Sequence, residues 1–381
     1  MKRAANKEKI LLKVNFLKKD FSMKNDLTSL AGKTVFVGLD VHKKTYSLSA
    51  IVGGSEVLKI TLEATPSAVA DLLHKRFGTA AKIHAGYEAG FCGFGLQRYL
   101  ESRNIQCSVV NASSLHVAVN DRVKTDARDS RKIAEELSCG RIKSIHIPSR
   151  KDEFKRQITR RRQQIVAMRG QTSQQIKSFL MYYGVMDRLD DSLISRRYLK
   201  KIEEKMADVV ELKSVVKSYI EQWEYFTREL ALFRKLLQQQ ADLPEEKNVL
   251  DIYESTPGIG LVSARILANE LGDLSRFQNE KKLFSYTGLT PCEYSSGEKV
   301  RRGHISRQGP SRIRALLVEV AWRAVTVDSG LKQTYENLKK RIGAKKAIVA
   351  MARRIIGKVR ACFRTNTKFN LAGGVSLVSA S

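Results

Sequence analysis

The chain has 381 residues and sets 68 Lys and Arg against 39 Asp and Glu, a net charge of +29. At 43% apolar residues it is too hydrophobic for a disordered basic tail, and its length allows two or three packed domains. No run of about 18 apolar residues appears, which argues against a helical membrane span, and the basic stretch 1–33 lacks the apolar core of a secretory signal. The five cysteines are scattered and form no Cys-x-x-Cys pair, so neither a disulfide framework nor a zinc site is expected and a reducing cytoplasm is the natural compartment. A positive field of this size acts on polyanions, of which nucleic acid is the commonest there.

In chain order, a basic extension (1–32) precedes a segment, 33–148, that reads as α/β. Val35 to Asp40 is a short apolar strand, Tyr46 to Val52 its hairpin partner, and Glu56 to Leu62 alternates as a third strand. Pro66 opens a helix carrying Val69, Leu72, Leu73 and Phe77. Lys82 to Glu88 reads as a central strand, Phe94 to Ser102 as a helix, Gln106 to Val110 as a strand and Asp126 to Cys139 as a helix. Interleaved strands and helices imply a mixed sheet with helices packed on it.

The next segment, 149–244, has no proline between Pro148 and Pro244, and its apolar residues recur at three and four. That pattern predicts long helices, an antiparallel pair turning near Gly184–Asp191, of coiled-coil character. From 245 to about 370 the pattern is one of short helices and loops, followed by a tail at 371–381. Residues 299–368 hold 19 Lys and Arg against 3 Asp and Glu, so more than half of the net charge is concentrated there.

In so basic a chain, acids at strand ends ask for a reason. Asp40 closes the first strand and Glu88 the fourth, both at carboxyl ends, where open α/β sheets place their sites. Asp126 and Asp129 are three apart on a helix and so share a face. Four converging carboxylates are hard ligands suited to Mg²⁺ or Mn²⁺, and two such ions would stabilise the attacking and leaving oxygens of a phosphodiester. Taken singly, Asp40 reads as a solvated strand end, Asp126 as an N-cap and Asp129 as a first-turn acid; it is their joint order that points to a site. His42 reads as a solvated turn residue and His84 as a satisfied strand residue.

Farther along, serines Ser295 and Ser296 lie among Lys299, Arg301, Arg302 and Arg307, an arrangement in which a hydroxyl would attack a phosphodiester whose charge the cations stabilise; an ordinary Ser-Gly turn is the plainer reading. Thr256-Pro-Gly-Ile-Gly260 is similar to the hairpin of helix-hairpin-helix modules, with the Gly258 and Gly260 amides offered to a phosphate. Ser311 to Val325 forms an amphipathic helix whose Arg312 and Arg314 suit a nucleic-acid backbone.

Gly38-Leu-Asp-Val-His-Lys-Lys-Thr45, Tyr87-Glu-Ala-Gly90, Lys124-Thr-Asp-Ala-Arg-Asp129, Thr256-Pro-Gly-Ile-Gly260, Gly288-Leu-Thr-Pro291, Ser296-Gly297 and Gly303-His-Ile-Ser-Arg-Gln-Gly309 together resemble the DEDD transposases of insertion sequences, the family related to the Piv DNA invertase. The likeness runs from Lys33 to about Lys368, in the family's order. It implies an RNase H/RuvC-like catalytic domain with a mixed sheet, a long coiled-coil middle and a mainly helical C-terminal domain. It further implies metal binding, by two Mg²⁺ or Mn²⁺ ions, at Asp40, Glu88, Asp126 and Asp129, with Ser296 as the nucleophile. The family's partners would be DNA, a structured guide RNA, and further copies of the chain in dimers and tetramers, all within a bacterial or archaeal cytoplasm. Two other readings compete: a RuvC-like junction nuclease that uses metal alone, and a non-catalytic nucleic-acid-binding protein.

Overall fold

The computed structural model describes residues 30–111, 126–185, 194–205, 210–293 and 302–370. The chain divides at Ile147/Pro148 into two compact units, each taken by itself below.

The first unit is built on a five-stranded mixed sheet of order β3-β2-β1-β4-β5, with β1 at Thr34–Val41, β2 at Thr45–Val52, β3 at Ser55–Glu63, β4 at Lys82–Glu88 and β5 at Gln106–Val110. The first three strands form an antiparallel meander; β4 and β5 then join parallel to β1 through helical crossovers. Those crossovers are α1 (Pro66–Phe77), capped by the Thr65 hydroxyl, and α2 (Gly95–Ser102). Alternation along the strands sends Val35, Val37, Leu39, Leu48 and Ala50 to one face, where they bury against Val69, Leu73, Leu96 and Leu100 of the two helices.

The opposite face belongs to α3 (Asp126–Ser138). Gly38 and Gly86 are paired in the β1–β4 register, and α3 crosses over them. A Cβ on Gly38 would stand 1.9 Å from the Ser130 carbonyl oxygen and 2.6 Å from the Ala134 nitrogen; one on Gly86 would meet the Leu137 side chain at 2.8 Å. Ser49, beside Gly38 on β2, completes this floor through a buried 3.1 Å hydrogen bond between its hydroxyl and that of Ser130.

In the second unit α4 (Arg150–Tyr182) and α6 (Val210–Ala241) are helices of 33 and 32 residues. Thr172 donates to Gln222 and the Trp223 indole to Ser173, at 3.2 and 3.1 Å, while Lys151 meets Glu245 at the other end, so the two run antiparallel. They are not joined by a simple turn, as the sequence suggests. A ten-residue helix, α5 (Arg196–Lys205), intervenes, because Leu199 and Ile202 bury with Ile176, Leu180, Val216 and Trp223.

Beyond them α7 (Pro244–Glu254), α8 (Leu261–Leu271), α9 (Glu280–Thr287), a two-stranded ribbon of β6 (Pro291–Glu293) and β7 (Arg302–Ile305), α10 (Ser311–Val327), α11 (Ser329–Ile342) and α12 (Ala344–Thr365) enclose one core. The expected short helices are too short: α10 has 17 residues and α12 has 22, since Ile348, Met351, Ile355, Ile356 and Val359 keep a buried stripe through many basic residues.

Charged side chains clamp α4 to α7 and α8. Arg265, fully buried, donates to Glu246 at 2.9 Å and to Asn269 at 2.7 Å, and Lys155 also donates to Glu246. Arg160 grips Glu270 with two bonds of 2.6 and 2.9 Å, while Arg156 donates to the carbonyls of Asn269 and Glu270 that α8 leaves open at its end. Burial alone would raise the Glu246 carboxyl, but the hydrogen bonds from Lys155 and Arg265 outweigh it and hold its pKa below the usual range.

Two outcomes follow. Gly38→Ala is expected to cost about 1–3 kcal/mol in thermal unfolding, since it overpacks against backbone, and Gly86→Ala less, because a leucine tip can move. Glu246→Ala, which strands the buried Arg265, is expected to cost about 3–5 kcal/mol. Because the folded carboxyl is depressed, its contribution in the wild-type protein is present above the ordinary glutamate range and lost as pH falls through the depressed value. Denaturant unfolding at several pH values should therefore show a steeper acid loss for wild type than for the variant.

Candidate active site

Asp40 and Glu88 occupy the carboxyl ends of the two central parallel strands, one residue beyond the last paired positions, Leu39 and Tyr87. Period-two alternation puts Asp40 on the face of Gly38 and Glu88 on the face of Gly86, the face that α3 crosses. The floor of glycines and serines thus has a second consequence: it admits the helix backbone beside two strand-end acids. Asp129 directly precedes Ser130, the residue whose carbonyl meets β1. The side chain of Asp126 falls outside the described residues.

Neighbouring groups set these acids. The His42 Nε2 lies 3.1 Å from the Asp40 Oδ2, which gives the imidazole a partner where the sequence suggests only solvent. The signal was present in the spacing, since residues 38, 40 and 42 continue one face. Behind Glu88, the buried Tyr87 hydroxyl donates to the Gly93 carbonyl at 2.8 Å and the Ala89 amide to the Val110 carbonyl at 2.8 Å, fixing the turn after β4. Burial drives the Tyr87 phenol far above its usual pKa, so it stays a donor. His84, paired with the Ser108 hydroxyl at 2.9 Å and pushed down by burial, is a satisfied strand residue.

Among the described residues no group of three His, Cys, Asp or Glu side chains is close enough to hold a metal ion. The donor chemistry nonetheless fits a hard cation: oxygens only, on adjacent strand ends and the first turn of the facing helix.

In the second unit, Ser295, Ser296, Lys299 and Arg301 lie outside the described residues, as does the Arg302 side chain. In the ribbon, Glu293 pairs with Arg302 and Pro291 with Ile305. Under that ribbon two glycine loops lock together. Gly288 is left-handed at φ +69°, and a Cβ there would meet the Gln308 carbonyl at 2.3 Å; Gly309, at φ +102°, sits so that a Cβ would lie 2.0 Å from the Tyr286 carbonyl. The Arg314 guanidinium spans both loops, donating to the Thr287 and Arg307 carbonyls at 3.4 and 3.3 Å. Arg307 itself has φ +55°, and Arg312 is exposed on the first turn of α10.

Gly258 and Gly260 are separated by the structure. Gly258, at φ +83°, packs on α10, where a Cβ would lie 2.7 Å from the Ala324 nitrogen, a contact that by itself requires glycine. Gly260 caps the N-terminus of α8 with open space around it.

A mixed sheet with acids at the ends of its central parallel strands, faced by a helix that carries Asp-x-x-Asp, is the architecture of the RuvC-like DEDD class. A DEDD transposase family model of the IS110 type matches residues 37–184, and the model described as Transposase IS116/IS110/IS902 family matches residues 250–336. A putative transposase of Sinorhizobium fredii is 29% identical over 76% of this chain and 72% of its own length. The transposase for insertion sequence element IS1533 of Leptospira borgpetersenii is 24% identical over 87% of this chain and 96% of its own length. The chain belongs to the IS110/IS116 family of transposases, enzymes that cut and rejoin DNA.

The interlocked loops yield a test. Gly309→Ala is expected to destabilise the loop pair by about 1–3 kcal/mol, raising amide exchange in 287–290 and 303–309 while exchange in α12 stays protected. Unchanged exchange in both loops would show that the Gly309 contact does not hold them together.

Proposed function

We propose that this insertion-sequence transposase uses two sets of residues for one reaction. Asp40, Glu88, Asp126 and Asp129 hold two divalent cations, Mg²⁺ or Mn²⁺, as suits an all-oxygen donor set. Ser296 supplies the attacking hydroxyl. The observation that carries this reading is the placement of Asp40 and Glu88 side by side on the sheet face that Gly38 and Gly86 open to α3.

In the proposed step the Ser296 Oγ attacks a DNA phosphorus, its proton passing to a carboxylate or water. A P–O(Ser) bond forms as one P–O bond to a DNA oxygen breaks, and that oxygen takes up the proton the serine gave away and leaves as a hydroxyl. Because one ester replaces another, a second DNA hydroxyl can reverse the exchange and release the serine. Bound cations would supply Lewis acidity at the phosphate oxygens. Lys299, Arg301, Arg302, Arg307 and Arg312 are cations suited to holding the phosphate backbone, with Gly260 offering an open helix N-terminus. Arg314 is the brace of the loops beneath.

The resemblance on which Ser296 rests also extends this reading to a structured guide RNA that pairs with DNA, and to dimers that associate into tetramers through α4 and α6. The excess charge is what two simultaneous polyanions require. The junction-nuclease reading needs only the first unit and leaves the family-matched region 250–336 without a task.

Asp126→Ala and Ser296→Ala are each expected to abolish strand exchange on a plasmid carrying the element's joined ends, and wild type should leave a denaturant-resistant protein–DNA adduct that Ser296→Ala lacks. Rejoining by Ser296→Ala would sink the covalent serine step. Full activity in EDTA would sink the carboxylate site.

A further inference from the structure

Seven Lys and Arg and no Asp or Glu lie between residues 154 and 182 of α4. Lys155, Arg156 and Arg160 are committed to Glu246, Glu270 and the α8 end. Arg162 and Arg169 follow at a spacing of seven, two turns along one stripe of the helix. The contacts of Thr172 with Gln222 and Ser173 with Trp223 set the register of the pair, and that register carries Arg162 opposite Arg234 of α6. Arg169 also lies over the buried Trp223 ring at 5.8 Å.

Three guanidinium groups therefore lie along the seam of the two helices, with Arg162 between the other two charges. Arg162 is half-buried, and its Nε is buried with no hydrogen-bond partner. Burial first, then the charges of Arg169 and Arg234, push its pKa down; both named charges are positive. An orphaned donor among like charges is costly in the free chain, and a group carrying negative oxygens would relieve both terms at once. Alongside, a groove on α6 lined by Thr227, Ala231 and Leu232 is flanked by Arg196, Arg228 and Lys235. By helical spacing Thr227 and Ala231 adjoin Arg234, so the cationic strip continues from the cluster into the groove.

We propose that Arg162, Arg169 and Arg234 form a phosphodiester-binding site at which a nucleic-acid strand crosses the α4–α6 pair. On this arginine strip, as distinct from the rest of α4 and α6, which the reading above gives to the association of copies, a second copy of the chain is a poorer occupant, because it would meet like charge with like charge, and the α6 acids Glu221 and Glu224 already face Lys217 and Arg228. The inference rests on the nucleic-acid reading above but needs neither the metal site nor Ser296.

The test uses the full-length protein, wild type and the triple variant Arg162→Gln/Arg169→Gln/Arg234→Gln, with a labelled random-sequence DNA duplex and a labelled single-stranded RNA titrated over a salt series. For the strand that occupies the site, the slope of log affinity against log salt should shrink by about 2.7 for duplex or about 2 for single strand. A change on duplex alone assigns the site to DNA, and a change on RNA alone assigns it to RNA. The ligand-free variant should melt at or above the wild-type temperature, since repulsion is relieved. A lower melting temperature with unchanged slopes overturns the proposal in favour of a structural cluster, and an altered mass in light scattering with unchanged slopes overturns it in favour of a contact between copies. Should the triple variant misfold, Arg162→Gln alone is expected to shrink the duplex slope by about 0.9, or the single-strand slope by about 0.7, and no change on either probe rejects the site. Wild type binding neither probe would reject the nucleic-acid reading as well, whereas wild-type binding with unchanged variant slopes rejects this site only.

Discussion

The first unit depends on backbone touching backbone. Where β1 meets α3 there is no room for even one methyl group, because the Ser130 carbonyl occupies the place a Gly38 side chain would take. Such an approach fixes the helix against the sheet far more tightly than a layer of leucines would, since side chains can repack and peptide groups cannot. Everything chemically interesting hangs on that contact. Asp40 and Glu88 each stand two residues from a floor glycine, and Asp129 stands one residue from the carbonyl that rests on it. The Ser49–Ser130 hydrogen bond satisfies the polar groups that so close a contact would otherwise strand.

The second unit solves a different problem by a different means. Its long helices have few wide apolar faces near their base, and the join to α7 and α8 is made by buried ions: Glu246 between Lys155 and Arg265, and Glu270 between Arg156 and Arg160. Burying charge contributes little net stability even when every group is paired. What it does impose is geometry, because a guanidinium that must meet a carboxylate and a carboxamide at once accepts one placement of α7 and α8 and rejects neighbouring ones.

Much of the first unit was legible in the sequence. The strand end at Glu88 and the helix opened by Pro66 are local signals, and local signals decided those boundaries, while β1 runs one residue past Asp40 to Val41. The pairing of Gly38 with Gly86 was not legible, because it arises only when residues 48 apart become neighbours on adjacent strands. The same limit explains the second unit. Helix α5 was hidden because its ten residues, rich in Lys and Arg, bury Leu199 and Ile202 against partners on two other helices. The packing of Gly258 on α10 is not legible either, because Pro-Gly-x-Gly has the same sequence whether or not a distant helix rests on its glycine. Arg314 reads as a backbone-binding cation in the sequence and bonds two loop carbonyls in the fold. His42 reads as a solvated turn residue, and in the fold it is exposed yet meets Asp40, a contact that only the alternation with Asp40 points to.

The antiparallel pair leaves the core at Arg150 and returns to it at Ala241, with Lys151 and Glu245 joined across the base. In evolutionary terms it is a detachable excursion: matched stretches added to or removed from both helices would change its length without moving either point of departure. Reach can therefore drift between related proteins while the loops of the helical core stay in register, and a designer who needs a different span has a place to cut where the core will not notice.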